Sequence, residues 1–548
     1  MHLTVDGRPV EVVDSDLSLL DALREQLGNR SAKDGCSPQG QCGCCTVLVD
    51  GAPRVACVTP VRRMAGRAVT TVEGLDPEVR DRLVAAFADT GASQCGFCTP
   101  GILCRLASLG PNPTKGRVEQ ALLAHLCRCT GWRTIVQAAA AGTDPPDRDR
   151  VHQRDEAAAG RRATLEGGSP QRVGPAVAAG RGGFADDTAP PGCLVAVPAV
   201  TGGWVVAETL EAARAAAGKV QGRRSGRGLI WPLEVPPGDW AVTLQTTWVE
   251  PGYLEPDASW CEPGGEPATA LANGGAFGAK MDSPAPAAAR RLAREHGRAV
   301  RVLLSREDVV RLGPKRPPVA AGVRADGTGV MRVVRTPGVA DAVAAMAPGL
   351  VVEEVDVAGP PTSAAVRGAG WVEAAVLLAA AGAQSANRPR PASRPHPAGG
   401  LRGYGALWLD LAAGEATAQI TAPSGGRAAA TVRLDGAGGP AAVSVAVAAG
   451  DPLDEVVLRS YAVGAAHMAL GWVFSEAVAV DGDGEPEDLT IRSFGILRAR
   501  DTPEVDVTID PSDAAPAAAS DAVFAAVAAA AWGAQGLPAR WPTRRPHR

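Results

Sequence analysis

The chain of 548 residues lacks any strong charge imbalance, its formal net charge being only −4. Nothing in that balance predicts a nucleic acid or an anionic membrane as partner. No long uncharged stretch of large apolar side chains is present. The longest apolar runs are alanine-rich, as in VFAAVAAAAW, so a bilayer span is not expected. The N-terminus, MHLTVDGRPVEV, alternates like a strand and lacks the charged-then-apolar design of a secretory signal. A cytoplasmic address is the expectation. No dinucleotide fingerprint and no GxxxxGK[ST] loop occur, the seven histidines form no ligand-like cluster, and no internal repeat is found. The excess of Ala, Arg, Gly and Pro over Lys matches genome base composition and carries no functional weight.

What is present is cysteine, placed unevenly. Of the twelve cysteines, ten fall in the first quarter of the chain, and eight of these form two groups. Cys36, Cys42, Cys45 and Cys57 lie in DGCSPQGQCGCCTVLVDGAPRVAC; Cys95, Cys98, Cys127 and Cys129 lie in QCGFCTPG and HLCRCTGW. In a reducing compartment, clustered cysteines more often hold metal than form disulfides. The length allows roughly three domains. Residues 1–75 read as a small β-rich unit. LTVDGRPVEV and TVLVDGAPRVACVTPV are hairpins turned by Asp-Gly, and DLSLLDALREQLG is an amphipathic helix. Residues 76–140 read as a small helix bundle. Residues 141–175, polar and charged, read as a solvated linker. Residues 176–548 alternate short strand-like runs with Ala-rich helices, a mixed α/β region with a loop at about 381–400.

The first group has the spacing C-x5-C-x2-C with a distant fourth cysteine. Plant-type [2Fe–2S] clusters use C-x4-C-x2-C and a distant fourth. Gly35, Ser37, Gly40 and Gly43 would let backbone amides approach the sulfides. Cys44 is a spare thiol beside two ligands. A zinc knot also uses C-x2-C; the order of hairpins and helix is that of ferredoxins. In the second group two hooks at predicted helix ends can face each other across one cluster, because helix N-termini favour thiolates. Cys104, Cys193 and Cys261 read as small apolar fillers. A binding-only protein with eight structural zinc ligands is the remaining alternative.

QCGFCTPG followed by CRCTGW is very similar to the helical iron–sulfur domain of the xanthine dehydrogenase/aldehyde oxidase family of molybdenum hydroxylases. GQCGCCTVLVDG resembles that family's ferredoxin-like domain. The resemblance implies an α+β multidomain chain: a β-grasp ferredoxin-like domain, a four-helix [2Fe–2S] domain, then a mixed α/β molybdopterin-binding-like region. It implies an oxidoreductase that withdraws electrons from an aldehyde or N-heterocycle at a molybdopterin centre and passes them through two [2Fe–2S] clusters. It also implies that Gln94 and Cys129 lie against the pterin.

Weaker likenesses follow in the rest of the chain. GRGGFADDTAPPG, TTWVEPGYLEPDASW, NGGAFGAKMDS and AAVRGAGWVEAAV resemble pieces of the family's cofactor subunit. The loop with Gly275, Ala276, Phe277 and Gly278 precedes a predicted helix, where amides could meet a pterin phosphate or oxo-metal group; an ordinary tight turn is the other reading. Arg367 could pair with a phosphate or a metal-bound oxygen, or be a surface-turn arginine; LRGYG at 401–405 is its rival. The departures are substantial. The family's Gly-Glu base is absent near PSDAAPAAASDAVF, Val249 falls at the metal-side glutamine, Met281 falls where a carboxylate often follows the glycine loop, and the region is about half the usual length. Glu250, Glu255 and Asp257 could act as base, or be surface or strand-end acids. With no room for a flavin domain, the acceptor would be a separate flavin subunit or a soluble carrier. A second expectation is an electron-transfer subunit whose C-terminal region docks a separate catalytic partner subunit.

Overall fold

A computed structural model describes residues 1–13, 16–140, 154–218, 222, 228–384, 401 and 407–544. The first sheet has five strands in the order Arg8–Glu11, His2–Val5, Ala68–Thr70, Thr46–Val49, Ala52–Val55. Both Asp-Gly dipeptides make the expected hairpins. Asp6 and Gly7 have φ of +50° and +77°, and Asp50 and Gly51 have +47° and +77°, the paired positive φ that a two-residue turn matched to strand twist requires. The predicted helix forms as Leu19–Asp21, capped by Ser18, running into a π-helical turn Ala22–Gln26.

Four helices follow: Pro77–Thr90, Thr99–Ala107, Lys115–Ala121 and Arg133–Ala140. Asp76 caps the first of these, its carboxylate accepting from the amides of Glu78 and Val79, and Gly91 ends it at φ +67°. These are the expected start and stop signals.

The stretch expected to be a solvated linker is not one in its second half. Residues 141–153 lie outside the described residues, but Glu156–Gly167 is a helix packed against the long helix Glu455–Phe474. Its Arg162 and Glu166 form a fully buried i,i+4 ion pair at 3.1 Å. Charge that looked solvent-facing is consumed by distant backbone: Arg162 donates to the carbonyls of Pro452 and Ala517, and Glu166 accepts from the amides of Ala519 and Ser520.

Among the described residues, the remaining region holds two four-stranded sheets and one of five strands. The last sheet (407–412, 415–421, 427–434, 440–448 and 504–509) is covered by two buried helices, Glu455–Phe474 and Ser520–Ala534. Alanine lets these layers approach closely; a Cβ on Gly533 would sit 2.7 Å from Leu411. Val366–Ala383 and Glu455–Phe474 are long and apolar enough to cross a membrane, contrary to expectation. However, 78% and 89% of those windows are buried inside the protein, which marks them as core helices. The expected loop at 381–400 and the rival turn at 401–405 fall almost wholly outside the described residues; the helix Trp371–Ala383 overlaps the start of that loop.

Candidate functional site

The first four cysteines are buried and converge. Cys36 lies within thiol hydrogen-bonding reach of Cys42 and Cys57, and Cys57 within reach of Cys45. The neighbouring thiols and the amides of Gln41 and Gln39 push Cys36 down to about 2, whereas Cys42 and Cys57 are pushed up by the thiol beside them and by burial. Backbone amides point at sulfur: Gln39 N–H and Gln41 N–H lie 3.3 and 3.5 Å from Cys36 Sγ, and Cys57 N–H lies 3.4 Å from Cys45 Sγ. Close approach explains Gly35, whose added Cβ would stand 3.1 Å from the sulfurs of both Cys42 and Cys44. Cys44 is fully buried beside Cys42, and burial pushes its thiol up.

The second four form two pairs. Cys95 and Cys129 sulfurs are 3.5 Å apart, and Cys98 and Cys127 lie within thiol hydrogen-bonding reach of each other. Cys127 is pushed down to about 7, first by Cys98, with Thr130 Oγ1 at 3.1 Å assisting. Cys98 is the N-cap of Thr99–Ala107, where the helix favours a thiolate. Cys127 and Cys129 instead occupy the turn ahead of Arg133–Ala140.

The two groups are joined backbone to backbone. A Cβ on Gly101 would fall 2.3 Å from Gly43 O, and one on Gly43 would fall 2.5 Å from His125 Cδ2. Leu126 N–H donates to Cys42 O at 2.9 Å. His125, buried and pushed down to about 3 chiefly by burial, therefore sits as a neutral ring between the groups, its Nε2 3.2 Å from Thr46 Oγ1.

The structure gathers the residues that the weaker likenesses single out. Gln94 Nε2 donates to Cys129 O and to Ser460 Oγ, both at 2.9 Å. A Cβ on Gly275 would stand 3.0 Å from Cys95 Sγ and 3.4 Å from Cys129 Sγ, so the loop lies against the second group. Ala276 is buried. Phe277 has φ +53° and its carbonyl accepts from Arg367 N–H at 3.1 Å. Gly278 is pressed on Ala365, whose carbonyl would be 1.9 Å from an added Cβ. The helix after this loop forms where expected, as Pro284–His296, capped by Ser283. Arg367 is no surface arginine. It is buried at φ +48°, its guanidinium 4.7 Å above the Phe277 ring and hydrogen-bonded to Met468 Sδ and Asp521 Oδ1.

Residues 3–62 match the 2Fe-2S iron-sulfur cluster binding domain family, and residues 71–140 match the [2Fe-2S] binding domain family. Over 142 residues the chain is 38% identical to a probable xanthine dehydrogenase component of Bacillus subtilis, covering 25% of this chain and 82% of that one. It is 44% identical to the nicotine 6-hydroxylase small subunit of Paenarthrobacter nicotinovorans, covering 25% and 86%. The chain belongs to the xanthine dehydrogenase/aldehyde oxidase family of molybdenum hydroxylases. Identity to the Megalodesulfovibrio gigas aldehyde oxidoreductase is 40% over 144 residues, 25% of this chain and 16% of that one. Its whole fold is similar to the solved aldehyde oxidoreductase of Desulfovibrio gigas, with TM-score 0.70 at 16% identity over 99% of both chains. As a member of this family the chain carries two [2Fe–2S] domains, and the family implies molybdopterin.

The two implied groups meet different surroundings in this family member. Each cysteine quartet, with amides aimed at sulfur and glycines where a Cβ would strike it, fits a [2Fe–2S] cluster. The site around Phe277 and Arg367 is closely packed in this structure. The cavity bordered by Arg128, Glu250, Phe277, Arg367, Met468 and Trp472 measures about 20 Å³, room for one water, against hundreds of cubic ångströms for a small-molecule site. Trp472 stacks on Phe524 at 5.2 Å, and the Arg316 guanidinium covers Trp472 at 4.1 Å. A cleft of about 800 Å³ lies elsewhere, and none of these loop, turn or cysteine residues lines it.

The three acids weighed as bases are neither exposed nor idle. Glu250 is ion-paired with Lys315 Nζ at 2.8 Å, Glu255 with Lys280 Nζ at 2.8 Å, and Asp257 accepts from Tyr253 OH at 2.6 Å. Burial pushes Glu255 up to about 7 against the pull of Lys280. The sequence also conceals Arg128. Lying between Cys127 and Cys129, it is buried against Glu476 with contacts of 2.5 and 2.6 Å. A charged residue between two buried thiols was the available signal; its partner, 348 positions on, had none.

Proposed function

We propose that this chain is an iron–sulfur oxidoreductase of the molybdenum hydroxylase type that carries electrons, released by oxidation of an aldehyde or N-heterocycle at a molybdopterin centre, to an external acceptor. Cys95, Cys98, Cys127 and Cys129 hold the cluster that receives the electron. Cys36, Cys42, Cys45 and Cys57 hold the cluster that passes it on, to a separate flavin subunit or a soluble carrier in the cytoplasm. The observation that supports this reading is the pair of buried thiol quartets joined through the Gly43–Gly101 contact. Domains at 1–75, 76–140 and 176–548 accord with it. Relatives named as nicotine 6-hydroxylase and aldehyde oxidoreductase set the substrate classes to try first.

The test is anaerobic purification followed by dithionite reduction. Two distinguishable paramagnetic signals are expected, and a colourless protein without them would refute the reading. A second reading is favoured by the filled cavity at Arg367: the pterin belongs to a separate catalytic subunit, and residues 176–548 dock it. Turnover of an aldehyde or nicotine with a dye acceptor by this chain alone would exclude that second reading.

A further inference from the structure

The loop of the first cysteine group is gripped by a segment some 450 residues away. Gln39 Nε2 donates to Leu489 O at 2.9 Å, and Gln39 Oε1 accepts from Ile491 N–H at 3.2 Å. Gln41 Oε1 accepts from Arg492 N–H at 3.4 Å. The Arg492 side chain completes the clamp: Nε donates to Gln41 O at 2.9 Å and a terminal nitrogen donates to Leu123 O at 2.9 Å. Leu123 leads into His125 and Cys127, so one guanidinium ties the first loop to the segment that supplies the second group.

The clamped residues are the ones whose amides face sulfur. Gln39 N–H and Gln41 N–H both point at Cys36 Sγ. The loop has one residue more between its first two cysteines than plant-type spacing, with Gly40 at φ +69°. An extra residue gives the loop freedom to turn its amides away from sulfur. Holding the Gln39 side chain and the Gln41 carbonyl from outside removes that freedom.

We propose that Arg492 sets the reduction potential of the first cluster, as a fixed cation beside the thiolate loop and as the clasp that keeps the loop's amides on Cys36. This rests on the reading of Cys36, Cys42, Cys45 and Cys57 as cluster ligands. Reduction adds one electron and no proton to a centre that is already negative, so a nearby cation and amide dipoles stabilise the reduced form more than the oxidised. Arg492 is solvent-exposed, so water and salt screen the effect, which confines it to a modest, cluster-selective shift.

The experiment is a dithionite redox titration of the full chain, following each cluster by its own paramagnetic signal. In R492Q, at an applied potential near the wild-type midpoint, the reduced-to-oxidised ratio of the first cluster is expected to fall at least about threefold. A tenfold fall corresponds to about 59 mV for a one-electron couple. The second cluster is expected to stay put. R492K, which keeps the charge, should recover at least half of the shift, and R498Q, which removes the neighbouring charge without touching the loop, should leave the first cluster near wild type. An unchanged first cluster in R492Q, equal shifts in both clusters, or R492K as low as R492Q would overturn the proposal. Val58 is 57% exposed against Gly40. V58D therefore serves if R492Q fails to fold: a first cluster indifferent to that charge would equally overturn the proposal, whereas loss of both signals in wild type would refute the cluster reading itself.

Discussion

Replacing Glu476 by Gln is the sharpest test of how the cluster domains are held to the rest of the chain. Glu476 follows the long helix Glu455–Phe474, and its carboxylate is buried against the Arg128 guanidinium, each side chain under 5% exposed. Arg128 has one further acceptor, Pro251 O at 2.9 Å. Glutamine keeps the shape but leaves a buried cation without its counter-charge, which costs about 3–5 kcal/mol. With denaturant slopes of about 3 kcal/mol per M in urea, the midpoint should fall by about 1 M or more. Urea transitions followed by the second cluster's signal give the number. The converse, R128M, strands Glu476, whose pKa burial already raises against the pull of Arg128. A raised carboxyl binds its proton more tightly when folded, so stability is fullest below the unfolded value and is lost as pH rises through the folded one. R128M should therefore be least harmful in acid. The double variant R128M/E476L removes both charges and should recover most of the loss, since apolar replacement of a buried pair is often neutral or better. An E476Q protein within about 1 kcal/mol of wild type, or a double variant as weak as the single, would show that the pair does not hold this junction.

Other outcomes follow from the same geometry. Gly275→Ala places a Cβ 2.9 Å from Cys95 Cβ at φ +79°, a strain of about 1–2 kcal/mol from backbone alone; it should erase or distort only the second cluster's signal, and two wild-type signals would contradict this. Cys42→Ser should abolish the first cluster and spare the second, Cys98→Ser the reverse, both read by paramagnetic resonance; loss of both centres from either change in a folded protein would break the two-site assignment. His467 is pushed down to about 3, chiefly by burial and then by Arg128. Its folded pKa lies below the unfolded one, so its contribution is present above about 6.5 and drains away as pH falls toward 3, at about 1.4 kcal/mol per unit. H467Q should flatten the acid limb of the stability curve, and parallel curves would remove this ring from the account. Metal analysis should give iron for two clusters; stoichiometric molybdenum with extractable pterin would show that the cavity at Arg367 opens, and iron without molybdenum would favour the separate catalytic subunit.

Much of the amino-terminal architecture was legible because its signals are local. Asp6-Gly7 and Asp50-Gly51 state their turns, Asp76 and Gly91 bound their helix, and the cysteine spacings separate two quartets. What escaped depends on partners far along the chain. Arg162 and Glu166 look solvent-facing in RRATLEG, and only the carbonyls and amides of residues 449–452 and 517–520 make them a core pair. Glu250, Glu255 and Asp257 read as surface or strand-end acids for the same reason. Arg367 was legible as a candidate, but not its burial, because Met468 and Asp521 are supplied by two later helices.

These distant contacts also bear on what residues 176–548 do. If that region were an independent domain beside an electron carrier, the cluster-bearing residues would keep a solvated face toward it. Instead a Cβ on Gly464 would lie 1.8 Å from Cys129 O, and one on Gly131 would lie 2.6 Å from Val463 O, so the long helix rests directly on the backbone of the second cysteine group. Gln94 is spent on Ser460, Arg128 on Glu476, and the first loop on Leu489, Ile491 and Arg492. The buried ones among these contacts exclude water from a centre whose potential depends on the charges and dipoles around it. The same helix places Trp472 and Met468 in the space beside Arg367. One element thus both houses the second cluster and fills the cavity, so a substitution that enlarged the cavity at Met468 or Trp472 would act on the cluster through the same helix.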